Sequence, residues 1–396
     1  MANTLKFGNG EWYGKKDTIL AYNDENDNYK PLPFDFSRNS SATVINKDGL
    51  IEAVSSGQPR IDYKDDTKGA LLLEPQRSNL VTYSEDLEKT TATWWNSRGR
   101  VTIENNSILS PNGSISGVKI TPTNENNAHY IRHGGSEYTD GVNRTFSVFL
   151  KAGNDEKNIK IQNLTSNVIV KFNSNGELSY VESSTSEYSI KEYNDGWYRV
   201  SISRSDNTAA YRYTGIIASN DQDGTSYFYI YGAQLEQGSY ATSYIPTSGS
   251  AVTRVAESSL QGGFQDKNIF GTTQGSAVFE LKWDLAGYVF DFKDSSSVRI
   301  RIFKSTSTWT IRDFIGAAWV NTGFTKYDNV KTKIGFKWNG TEFSTFQDGV
   351  KSSIVGTFAS NMAIESITTN KLNNTSNMQY YNTALTDQEL IALTTI

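Results

Sequence analysis

Short runs of alternating apolar and polar residues, closed by Asn-Gly or Asp-Gly pairs, recur along this chain. Thr145–Leu150 (TFSVFL) sets Phe146, Val148 and Leu150 against Thr145, Ser147 and Phe149. Val168–Phe172 runs into Asn175-Gly176, and Leu178–Val181 follows. Asp195-Gly196 precedes Trp197–Ile202, in which Tyr198, Val200 and Ile202 alternate with Trp197, Arg199 and Ser201. Farther on, Phe279, Leu281 and Trp283 alternate with Glu280 and Lys282, and Val298, Ile300 and Ile302 with Arg299 and Arg301. Ile334, Phe336 and Trp338 lead into Asn339-Gly340, and Asp348-Gly349 marks another turn. A period of two sends successive side chains to opposite faces of a strand, and the Gly pairs supply the positive φ that tight hairpins require. The expected fold is all-β, two antiparallel β-sandwiches of jelly-roll or lectin-like type after an extended N-terminal segment. One helix is expected, at the C-terminal end. Thr386 caps it, Glu389 completes a capping box, and Leu385 with Leu390 forms a hydrophobic staple.

A chain of 396 residues exceeds one ordinary core. The expected segments are a leader at 1–36, an extended β connector at 37–79, a sandwich at 80–256, a linker at 257–275 and a second sandwich at 276–396. Leu71–Leu73 reads as a buried strand stopped before Pro75. The leader groups too few apolar residues for a core of its own. Its Phe7, Trp12, Tyr13, Pro31, Pro33 and Phe34 therefore predict ordering against a partner surface. The absence of cysteine excludes disulfides, thiolate catalysis and Cys-ligated metals. A net charge of −5 without a basic footprint argues against nucleic-acid binding. No apolar run reaches about 18 residues, so membrane insertion is not expected, and the Met1 end carries no secretory signal.

Catalytic chemistry finds little purchase. His129 and His133 in HYIRH lack the Glu of a zinc-helix motif and fall in an expected strand, where they read as surface histidines. Glu85-Asp86-Leu87-Glu88 only faintly echoes the alternating acids of sandwich glycosidases, and the chain is not expected to be an enzyme. Asn220–Thr225 (NDQDGT) and Asn23–Asn28 (NDENDN) are oxygen-rich but lack EF-hand spacing, and solvated turns are the plainer reading. Sugar binding needs flat apolar faces beside polar donors. The candidates are Trp94 and Trp95, Tyr130 with Arg132, Tyr211 with Tyr213, and Trp319, although for each a core or structural role is the plainer reading.

Arg38–Asn79 (RNSSATVINKDGLIEAVSSGQPRIDYKDDTKGALLLEPQRSN) resembles a signature of bacteriophage fibre and spike proteins, where it leads into a carbohydrate-binding-module-like sandwich. Asn79–Trp95, Asp195–Ser201 (DGWYRVS) and Gly232–Val255 extend the likeness. Thr4–Phe36 is similar to the leader of crAss-like phage fibres, and Gly335–Val350 with Tyr381–Thr395 is similar to laminin-G or concanavalin-A-like domains. The resemblance implies a virion protein, a head or tail fibre made in the host cytoplasm. Residues 1–36 would anchor it to capsid or tail proteins, and its sandwiches would engage host surface polysaccharide. Analogy with phage fibres implies a homotrimer, and modules of this kind often carry a structural calcium; no other cofactor is expected. A purely structural decoration or spacer, and a polysaccharide depolymerase, are the alternatives.

Overall fold

A computed structural model describes residues 4–7, 11–14, 19–23, 29–65, 67, 69–88, 95–134, 141–154, 158–205, 213–218, 223–257, 273–282, 287–294, 297–304, 308–313, 318–325, 330–358, 366–368, 373–381 and 383–396. The chain forms two compact units. Residues 48–53 and 76–255 make a middle unit; residues 1–47, 54–75 and 256–396 make a composite one.

The middle unit is a sandwich of two six-stranded antiparallel sheets. The front sheet runs, in spatial order, Ser97–Gly99, His129–Gly134, Tyr213–Ala218, Ile159–Leu164, Ser166–Phe172, Leu178–Ser183. The back sheet runs Val101–Leu109, Ile115–Pro122, Phe228–Gln237, Arg144–Ala152, Trp197–Arg204, Tyr188–Glu192. Alternation sends Phe146, Val148, Leu150, Val200 and Ile202 inward from the back sheet to meet Ile131, Ile159, Ile161, Val168 and Val170. Each such side chain contributes about 1.5–3 kcal/mol of burial. The expected turns are present, with positive φ at Gly176, at Asp195 and at Gly196. Arg77–Asn79 pairs with Val252–Arg254, so the two ends of this unit lie side by side.

Phe149, expected to face outward, is fully buried, because the back sheet has a second covering layer. The chain after Gln237 returns over that face. Tyr244 packs against Phe149 and Tyr231 at centroid distances of 6.2 and 5.5 Å. Buried Asn79 pins the return: its Nδ2 donates to Ala233 O and Ile245 O, and its Oδ1 accepts from Val81 N and Leu235 N.

In the composite unit, Gln274–Lys282 and Lys331–Asn339 lie centrally in an eight-stranded sheet. Asn373–Tyr381 pairs along one side with Gln274–Lys282. Its other side takes Thr4–Phe7 at one end and Ala70–Leu72 at the other. A five-stranded sheet opposes it, ordered Ala318–Thr325, Thr308–Asp313, Ser297–Lys304, Gly287–Asp294, Ser366–Thr368. Aromatic contacts fill this core, Phe279 stacking on Phe290 at 3.6 Å and Phe343 on Phe358 at 4.4 Å. The helix spans Asp387–Thr394 with the expected capping box, and Leu390 packs with Val278, Phe346 and Leu385. No helix among the described residues is long and apolar enough to cross a membrane.

The leader contributes strands. Besides Thr4–Phe7, Glu11–Gly14, Ile19–Asn23 and Tyr29–Asp35 form a three-stranded sheet. Pro31 and Pro33 sit in its edge strand, the place in a sheet where proline is tolerated. Ala70–Leu72 ends ahead of Pro75 as expected, although Leu72 is only half-buried.

Candidate functional site

The outer face of the front sheet gathers three of the sequence candidates. Ile131 points into the core, so its neighbours Tyr130 and Arg132 point away from it. Register places Tyr213 opposite Gly134 and Arg132 opposite Gly215. The Arg132 guanidinium carbon lies 3.9 Å from the Tyr130 ring centroid and 3.5 Å from that of Tyr213, so the cation is held between two rings. All three side chains are half-buried.

Two glycines make room for this stack. A Cβ on Gly99 would come within 2.7 Å of the Tyr130 ring. A Cβ on Gly215 would fall 2.4 Å from Ile131 O and 2.8 Å from Arg132 Cβ. Gly215 also pairs with Gln162, which pairs with Asn167, so a polar row crosses the sheet from Arg132. Lys160 and Lys171 share the face by alternation, as does Glu182, which accepts a hydrogen bond of 2.7 Å from the Tyr180 hydroxyl. That bond raises the Tyr180 phenol above its ordinary range. Planar rings, a fixed cation and amide groups on one face are groups that recognise a polar, ring-shaped ligand. Gln162, Asn167 and Lys160 were missed in the sequence, though the alternation in IKIQNL and SNVIV carries the signal.

The other candidates fall elsewhere. Trp95 is 1 % exposed and donates from Nε1 to Tyr83 O, so it is a core residue with no face for a ligand. Trp94 and Tyr211 lie outside the described residues. Trp319 lies in Ala318–Thr325, opposite Arg312. Phe7 pairs with Met378, Trp12 and Tyr13 with Tyr22 and Ala21, and Pro31 with Ala21; Pro33 and Phe34 share the strand of Pro31.

His129 and His133 are buried, correcting the expectation of surface histidines. They share the inward face with Ile131, and the alternation in HYIRH already encodes this. No group of three or more His, Cys, Asp or Glu able to hold a metal occurs among the described residues. Of the two oxygen-rich loops, residues 24–28 and 220–222 lie outside them. Asp223 spends its carboxylate on Thr225 N, Ser226 N and Ser226 Oγ, and these bonds hold it well below the usual carboxylate range.

The acids near Glu85 are occupied in the same way. Glu85 accepts from the Tyr231 and Tyr244 hydroxyls at 3.0 and 2.9 Å, and burial beside that carboxylate pushes both phenols up. Asp86 accepts from Asn105 Nδ2 and Glu88 N.

The family-like motifs are also structural. Glu257 receives Arg38 Nη1 and Arg60 Nε, both at 2.7 Å, and further bonds from Arg60 Nη2 and Glu74 N. Arg60 also pairs with Glu74 at 2.9 Å. In the middle unit, Arg199 donates to Thr242 O at 2.7 Å and Ser147 Oγ at 2.9 Å. Glu236 accepts from Thr242 N, Thr242 Oγ1 and Gln234 Nε2, and burial still raises its pKa.

No family model and no curated protein matches the chain. Among solved structures it is similar to the CBM40 of a Ruminococcus gnavus IT-sialidase bound to α2,3-sialyllactose. Identity there is 14 % and the TM-score 0.24, over 31 % of this chain and 83 % of that one. It is also similar to domain 4 of AbnA, a GH43 extracellular arabinanase from Geobacillus stearothermophilus, in complex with arabinotriose. Identity is again 14 %, with a TM-score of 0.25 over 31 % of this chain and 68 % of that one. The LG1–3 region of the laminin α2 chain is 8 % identical with a TM-score of 0.23, over 63 % of this chain and 59 % of that one. Likeness at this level says nothing about a ligand. The chain is an all-β protein of antiparallel sandwiches.

Proposed function

We propose that this protein is a bacteriophage fibre or spike protein that binds host surface glycans through the front sheet of its middle unit. The observation that carries the glycan reading is the Tyr130–Arg132–Tyr213 stack, beside the polar row of Gln162 and Asn167. Aromatic edges and faces suit the C–H patches of a pyranose, and the amides and guanidinium suit its hydroxyls. The virion role rests on the resemblance of Arg38–Asn79 and Thr4–Phe36 to phage fibre sequences. Residues 1–36 are then the attachment to capsid or tail proteins, and a trimer multiplies weak sites into useful avidity.

The test is binding of the purified protein to host surface polysaccharide, with released oligosaccharides assayed in the same tubes. Saturable binding without products, lost in Tyr130→Ala/Tyr213→Ala, supports an adhesin. Products would turn the reading to a depolymerase. Neither binding nor products from a folded sample would leave a structural spacer. Light scattering that finds a monomer at micromolar concentration would remove the trimer. Packaging of protein whose residues 1–36 are replaced by an unrelated linker would remove the anchor.

A further inference from the structure

We propose that the front-sheet site selects acidic glycans, with Arg132 binding a sugar carboxylate. The inference rests on the glycan-binding reading and deepens it. Arg132 differs from Arg199, another arginine of this unit set beside an aromatic ring, in what it lacks. The Nε atoms of both are buried without a hydrogen-bond partner among the described residues. Arg199, however, donates from Nη1 and Nη2 to Thr242 O and Ser147 Oγ, whereas Arg132 makes no side-chain hydrogen bond or ion pair among the described residues. The rings of Tyr130 and Tyr213 supply its contacts. Rings compensate a cation through their faces and leave the donor edge of the guanidinium unused.

The two rings and the glycine at position 215 fix that edge in place before any ligand arrives, which lowers the ordering cost of binding. A planar fork of N–H donors matches a carboxylate bidentately. Each ring also gives one face to the cation, so a neutral sugar finds less bare aromatic surface than two free tyrosines would offer. Lys160 and Lys171 add positive charge to the same face, on a chain whose net charge is −5. The one acid among these outward side chains, Glu182, is engaged by Tyr180.

The full chain is tested by titration against alginate, polygalacturonate and a sialylated oligosaccharide, each beside its carboxyl-reduced form. Wild type is expected to bind at least one acid form about tenfold or more tightly than its reduced partner, with affinity falling as salt rises. Arg132→Gln should abolish that preference while melting within a few degrees of wild type, and Arg132→Lys should keep part of it. Equal binding of acid and reduced forms by wild type would overturn the carboxylate assignment and leave the glycan reading standing. Acid preference persisting in Arg132→Gln would overturn the role of Arg132. Binding of none of the six probes, by protein that does bind host polysaccharide, would overturn the carboxylate assignment alone; no binding to that polysaccharide either would overturn both readings.

Discussion

Arg199 and Arg132 stand on the outward faces of the two sheets of one sandwich, and they are held in opposite ways. Arg199 lies beneath the returning segment, bonded to Thr242 O and Ser147 Oγ, 5.2 Å from the Phe149 centroid. Arg132 lies between two rings with no such bonds among the described residues. The first face has become interior, and its polar groups are spent on the fold. The second keeps its polar capacity. A motif residue is therefore a poor guide to a site: DGWYRVS marks the closed face, and the open one carries no motif.

The contrast can be broken by substitution. The largest loss is expected at the fully tied end, in the composite unit. Glu257→Gln would leave Arg38 and Arg60 buried and undercompensated, costing about 3–5 kcal/mol in chemical denaturation. A loss under about 1 kcal/mol would show that the cluster is not holding the fold. Arg199→Ala should cost about 3 kcal/mol, since it removes two charge-assisted bonds from a buried face. Gly215→Ala places a methyl against the Ile131 carbonyl and should cost about 1–3 kcal/mol. It should also displace Arg132, seen as a weakened ligand response.

Asp62 sharpens the comparison through pH. Burial pushes its carboxyl from 3.8 up to about 6, although Ile45 N donates to it. An acid whose pKa rises on folding binds its proton more tightly when folded, so its contribution favours folding below 3.8 and is lost as pH climbs through 6. Wild type should lose up to about 2 kcal/mol across that window, discounted for partial exposure, and Asp62→Asn should not. Parallel stability profiles for the two proteins would refute this. The smallest effect belongs to Arg132→Ala, at most about 1 kcal/mol on thermal melting, the worth of a partly exposed cation–π contact. If it destabilised as much as Arg199→Ala, the two arginines would not differ in kind.

Much of this was legible in the sequence, for reasons that differ by element. TFSVFL announced Phe146, Val148 and Leu150 as core, because a strand's period is local information. The capping box at Thr386 and Glu389 is local too, and it formed. Phe149 reads as outward, because nothing within its strand foretells that residues near Tyr244 come back to cover it. Glu257 could not be matched with Arg38 from spacing, since 219 positions separate them. For the site, alternation placed Tyr130 and Arg132 on one face. The stack itself needs Gly99 and Gly215 as cross-strand neighbours, and register is a property of pairing that one strand's sequence does not state. Trp95 misled because two adjacent tryptophans offer one to each side without saying which.

The pairing of Arg77–Asn79 with Val252–Arg254 bears on the order in which the chain matures during synthesis. Thr4–Phe7 and Ala70–Leu72 both await Asn373–Tyr381, a strand that leaves the ribosome only after the whole middle unit. Until then they are unsatisfied edges, open to pairing with other chains. The middle unit can finish first, and in doing so draws its own start and finish together. The long wait is thus shortened in space, because the loop that must later close is already closed by a folded domain and the remaining entropy cost is that of a much shorter chain.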